Sequence, residues 1–97
     1  MGPVKAVLEA SVRYLAVELG AKGIRVNALS PGPVKTRAAS GLAAFGRLLE
    51  EAADEAPLDR LVTIEQIGEA AAFLMSDKSR HITGQVTYVD NGYNIQG

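Results

Sequence analysis

Between Ile24 and Thr36 the chain reads Ile-Arg-Val-Asn-Ala-Leu-Ser-Pro-Gly-Pro-Val-Lys-Thr, and the second half of that run holds the residues best suited to chemistry. Ser30-Pro31-Gly32-Pro33 is expected neither to extend a strand nor to begin a helix. Two prolines lack an amide donor, and Gly32 reaches conformations closed to other residues. A loop of this kind at the carboxyl end of a strand sets backbone N–H and C=O groups beside a crevice, which is where open α/β sheets gather ligands. Val34 to Ala38 would line that crevice. Backbone amides together with the Thr36 hydroxyl suit an anionic group such as a diphosphate.

Lys5 is the second residue of interest. At about 100° per residue it projects nearly in line with Val12 and Ala16, so its stem rises from the apolar side of a helix. Either it is a lysine whose stem snorkels past the core edge to water, or its ammonium serves a site. Asp90, at the end of a strand, has no evident partner carboxylate for acid–base work and reads instead as a turn former before Asn91-Gly92. With one histidine, His81, and no cysteine, neither a metal site nor thiolate chemistry is expected. The lack of cysteine fits a reducing, cytoplasmic compartment.

The elements that must position these residues follow from periodicity. Val4, Leu8, Val12, Leu15 and Leu19, widened by Val7 and Ala16, predict an amphipathic helix over 2–19, ended by Gly20 and Gly23. A strand follows over 24–29. Leu42, Phe45, Leu48, Leu49 and Ala52 predict a helix that ends before Pro57. Its Gly41 and Gly46 weaken it, so it is either a lid that orders over a ligand or an ordinary surface helix. Thr63-Ile64-Glu65-Gln66 has the spacing of a capping box. It opens a helix over 64–76 with Ile64, Ile67, Ala71, Leu74 and Met75 as its apolar stripe. Asp77 to Arg80 reads as a charged loop, Thr83-Gly84 as a turn and Gln85 to Asp90 as a second strand.

Two strands separated by helices imply an α/β fold with a parallel pair joined by a right-handed crossover. Such strands want helices on both faces and further strands beside them. A chain that opens on a helix already in register therefore reads as the carboxyl-terminal part of a larger, doubly wound, Rossmann-like domain, or as a reading frame begun at an internal methionine. All of residues 1–97 belong to that one domain, incomplete without its amino-terminal half. At 47% hydrophobic and 22% charged residues, with net charge −1, the composition is globular. It gives no reason to expect nucleic acid, an anionic membrane or a membrane span.

Taken together, the helix bearing Lys5, the run Gly23 to Pro33, and the ending Ile82-Thr83-Gly84-Gln85 with Val89-Asp90-Asn91-Gly92 resemble the carboxyl-terminal part of the short-chain dehydrogenase/reductase family. Gly32 to Gly41, Gly-Pro-Val-Lys-Thr-Arg-Ala-Ala-Ser-Gly, is similar to the bacterial NADH-dependent enoyl-[acyl-carrier-protein] reductases of fatty-acid synthesis. The resemblance covers essentially the whole chain. It implies hydride transfer from NADH, with NADPH left open, to the 2,3 double bond of a trans-2-enoyl-acyl-carrier-protein, in a homotetramer.

By the same resemblance Lys5 is the catalytic lysine and binds the nicotinamide ribose. Gly32, Pro33, Val34, Lys35, Thr36, Arg37 and Ala38 contact the cofactor, Val34 through the carboxamide and Thr36 through the pyrophosphate. Ala39, Leu42 and Phe45 wall the acyl pocket. The family's catalytic tyrosine and glycine-rich turn would precede Met1, and Tyr14 lies too far along the helix to replace the tyrosine. Asn91 stands where a second glycine is common. The alternatives are another carbonyl reductase of the family, or a non-catalytic truncated product acting as a packing or interaction module.

Overall fold

The computed structural model describes residues 2–34 and 43–96. The elements run α1 (Gly2–Gly20), β1 (Ala28–Pro31), α2 (Ala43–Glu55), α3 (Ile64–Met75) and β2 (Val86–Val89), with short 3-10 turns at Asp77–Ser79 and Tyr93–Gln96. β1 and β2 form a two-stranded sheet. Ala28 N–H donates to Gln85 O at 2.9 Å and Gly32 N–H to Val89 O at 3.4 Å. The two partners advance in the same direction, so the pair is parallel, as two strands separated by helices require.

The chain divides into two compact units. One comprises Met1–Leu29 and Ala71–Thr87, the other Ser30–Ala70 and Tyr88–Gly97. In the first, α1 buries Val12 and Ala16. Its end is closed by Lys22 N–H and Ile24 N–H, which both donate to Leu19 O at 3.0 and 3.2 Å. Leu19 is half-buried, but the rest of the expected stripe is not packed among the described residues: Val4 is 70% exposed, and Val7, Leu8 and Leu15 are exposed as well. Apolar residues surround more of this helix than one neighbouring segment covers.

Ile24 to Asn27, expected as strand, is held mostly by side chains, with one backbone bond from Gly84 N–H to Val26 O at 2.8 Å. Val26 N–H donates to Thr83 Oγ1 and Asn27 Nδ2 to Ile82 O, while Asn27 Oδ1 accepts from Gln85 N–H, at 3.0–3.1 Å. β1 starts only after these bonds end. It also runs further than expected, through Ser30 and Pro31. The N–H groups of Ala28 and Gly32 face β2, so by the strand's period of two the missing donor of Pro31 falls on the other edge, where a proline does no harm to the ladder.

Asp77 to Arg80 is likewise more ordered than a loop. Ser76 caps the 3-10 turn, its side chain accepting from Lys78 N–H. Ser79, 1% exposed, donates its hydroxyl to Leu74 O at 2.8 Å.

In the second unit α2 buries Leu49 and Ala52 and is followed by the buried Ala56 and Val62. It packs against the 3-10 turn Tyr93–Gln96. Leu48, expected inside, is exposed, as are Ile64 and Met75 of α3. The capping box forms as spaced: Gln66 N–H donates to Thr63 Oγ1 at 3.1 Å, and Thr63 N–H donates to Gln66 Oε1 at 2.9 Å.

Candidate functional site

Lys5 belongs to the first unit and lies on α1, on the line that continues through half-buried Glu9 to buried Val12 and Ala16. The sequence places it on that line correctly. The packing stops short of it, however, and Lys5 itself is exposed.

The candidate loop belongs to the second unit. Gly32, Pro33 and Val34 follow the end of β1 and are all half-buried. Gly32 N–H is committed to Val89 O. Behind Gly32 stands Asp90: a side chain added at position 32 would put its Cβ 2.6 Å from Asp90 Cβ and 3.4 Å from Asp90 Cα. No side chain fits there, so position 32 needs glycine for space. Lys35, Thr36, Arg37, Ala38, Ala39 and Leu42 lie outside the described residues. Phe45 lies in the first turns of α2.

Asp90 itself is 7% exposed. Its Oδ1 accepts from Gly92 N–H at 3.0 Å and from Asn94 Nδ2 at 3.2 Å, and its Oδ2 accepts from Asn94 N–H at 2.9 Å. This is the turn-forming role its neighbours suggest, and Asn91 adopts φ 54 as expected of an asparagine in a glycine's place. The turn is tied to the segment after α2. Asn91 Nδ2 donates to Arg60 O at 2.8 Å and Leu58 N–H to Asn91 O at 3.2 Å. Gly92, at φ 87, lies so close to Pro57 that an added Cβ would stand 2.8 Å from Pro57 Cγ.

The contact between Gly32 and Asp90 is the feature sequence reading missed. Its only signal is indirect: a glycine just past one strand and an acidic residue just past its parallel neighbour, at matching register.

Among the described residues no group of three or more His, Asp or Glu side chains is placed to hold a metal ion. None of their helices is long and apolar enough to cross a membrane. The second unit can instead present backbone groups after a strand end, backed by a buried wall, and the first a lysine ammonium on a helix. Both suit recognition of a polar, anionic small molecule.

The family model described as enoyl-(acyl carrier protein) reductase matches residues 1–94. The enoyl-[acyl-carrier-protein] reductase [NADH] FabI of Neisseria meningitidis serogroup B is 58% identical over 95 residues, covering 98% of this chain and 36% of the relative. The crystal structure of the Bacillus cereus enoyl-acyl carrier protein reductase, solved with NADP+ and indole naphthyridinone, superposes with a TM-score of 0.87 at 52% identity, covering 100% of this chain and 38% of that one. The Anaplasma phagocytophilum enoyl-(acyl-carrier-protein) reductase, solved with NAD, gives a TM-score of 0.87 at 49% identity, with 98% and 36% covered. The chain thus spans a little over a third of the length of the relatives it matches.

Proposed function

The chain belongs to the enoyl-(acyl carrier protein) reductase family, and from that premise we propose that the protein carrying it reduces the 2,3 double bond of a trans-2-enoyl-acyl-carrier-protein with NADH in fatty-acid biosynthesis. The observation that carries this reading is the 58% identity to an NADH-dependent relative over nearly the whole chain. It includes the loop after β1 and the helix bearing Lys5.

The donor set fits a nicotinamide dinucleotide. Lys5 carries a cationic N–H donor group of the kind that ribose hydroxyls accept. Val34 offers the backbone N–H and C=O that pair with a carboxamide, and Thr36 offers a hydroxyl for the pyrophosphate. Gly32, Pro33, Lys35, Arg37 and Ala38 complete the contact, and Ala39, Leu42 and Phe45 wall the acyl chain. A nicotinamide held by these residues would supply the hydride. The charge of Lys5 favours the negative charge that develops on the thioester oxygen as the β-carbon is reduced.

Residues 1–97 form part of a single nicotinamide-binding domain. The family's proton-donating tyrosine and glycine-rich turn have no counterpart among residues 1–97, so on this reading the 97-residue chain alone does not turn over. The enzyme acts in the cytoplasm on a carrier-protein thioester, as a homotetramer. Exposed apolar side chains on α1, with Val17 82% exposed, support the association.

The test is NADH oxidation by the full-length protein with a trans-2-enoyl thioester of acyl carrier protein. Turnover of that substrate supports the reading. Preference for a ketone or an aldehyde would assign another reductase of the family.

A further inference from the structure

Resting on that reductase reading, we infer that Asp90 is a positioning residue for the cofactor loop, acting through Gly32. The buried carboxylate is aimed into its own turn: both oxygens accept hydrogen bonds, three in all, from Gly92 and Asn94. None of these bonds points at a ligand. What Asp90 offers the other strand end is its Cβ, set against the bare Cα of Gly32, where no side chain can be inserted.

Gly32 N–H is bonded to Val89 O, the residue beside Asp90. The backbone that delivers Pro33 and Val34 is therefore fixed in two ways, by one ladder bond and by one steric wall. The wall is rigid because the turn behind it is itself tied down, through Asn91 to Arg60 and through Gly92 against Pro57. Loosening the carboxylate lets the wall tilt and the Val34 backbone drift. A displacement of about 1 Å is enough to cost an order of magnitude or more where geometry matters. The consequence falls on cofactor binding, because the loop after Gly32 carries cofactor contacts.

The experiment uses the full-length protein. Asp90→Asn keeps the Cβ and the shape but puts a donor where Oδ2 accepts from Asn94 N–H. The expected result is a rise of about tenfold in KM for NADH, with kcat at saturating NADH changed by less than about twofold. Arg25→Ala, which unfastens an unrelated clasp, is the control for lost stability. It lowers the melting temperature and leaves KM for NADH unchanged. Unchanged KM in Asp90→Asn, or an equal rise in Arg25→Ala, overturns the positioning role.

If Asp90→Asn does not fold, Asn94→Ala, at an exposed position, carries the test. A rise of about threefold in KM for NADH supports the role and no rise overturns it. Failure of the unsubstituted protein to oxidise NADH overturns the reductase reading and this role with it. An active enzyme indifferent to both substitutions overturns the positioning role alone.

Discussion

Arg25 donates from Nη2 to the carbonyl oxygen of Leu74 at 2.8 Å, and from Nη1 to Ile82 O at 3.1 Å. Leu74 is in the last turn of α3, where carbonyls have no helical partner and where this helix has no basic residue of its own. The guanidinium joins the Ser79 hydroxyl on that carbonyl, and its fork holds Ile82 O in the same grip. Arg25→Ala should lower stability by about 1.5–3 kcal/mol, the range for hydrogen bonds to a charged group. Arg25→Lys should recover only part, since one ammonium does not reproduce a planar fork. Chemical denaturation of the three proteins checks the order.

The capping box makes a smaller prediction of the same kind. Thr63→Ala removes the acceptor for Gln66 N–H and should lower stability by about 1 kcal/mol. Thr63→Ser keeps the hydroxyl and should lose only a fraction of that. Thermal melts of the two variants separate the cap from any effect of side-chain size.

Two glycines give opposite expectations. Gly92→Ala combines a positive φ with a Cβ driven into Pro57, and should destabilise by about 1–3 kcal/mol. Gly20→Ala meets nothing within 4 Å at the end of α1, and should be neutral or stabilising by up to about 1 kcal/mol. A melting temperature that fell equally in both would contradict the close approach of Gly92 to Pro57.

Local chemistry was the readable part of this sequence. The capping box, the Asp90 turn and the end of α1 are each decided by residues within a few positions of one another, and periodicity and turn chemistry found them. Packing was less readable. The stripe from Val4 to Leu15 has the right spacing for burial, yet spacing reports which face is apolar and not how much of it meets a neighbour. Ile24 to Asn27 misled for a related reason: β-rich composition does not reveal that the Thr83 and Asn27 side chains supply most of the hydrogen bonds a strand partner would, beside a single backbone bond from Gly84 to Val26. Gly32 was singled out for its flexibility, whereas the structure shows it is needed for space beside Asp90. That requirement depends on a residue more than half the chain away.

Lys5 decides between a snorkelling surface lysine and a cofactor ligand. As a ligand, its replacement by alanine in the full-length enzyme removes a charged hydrogen bond to the nicotinamide ribose. That should weaken NADH binding and slow reduction by about 1.5–3 kcal/mol together. As a surface lysine its loss should leave both unchanged. Its exposure makes a folding defect a poor explanation for lost activity. Titration of NADH binding, alongside steady-state rates, reads the two outcomes directly.

The last expectation concerns association. On α1, Val4, Val7, Leu8, Tyr14 and Val17 are all more than half exposed, and Val7, Ala10, Ser11, Tyr14 and Leu15 line a shallow, open groove on the same helix. Burying one such valine or leucine is worth about 1.5–3 kcal/mol, so a helix with this many in water gains by meeting another surface. The 97-residue chain should therefore sediment as an oligomer or aggregate at micromolar concentration, and the full-length protein as a homotetramer. Val7→Glu places a charge at the groove and should weaken association at least tenfold, roughly the equilibrium equivalent of one lost apolar contact. A chain that sediments as a compact monomer, with a sharp cooperative melt and no response to Val7→Glu, would show that these residues need no cover.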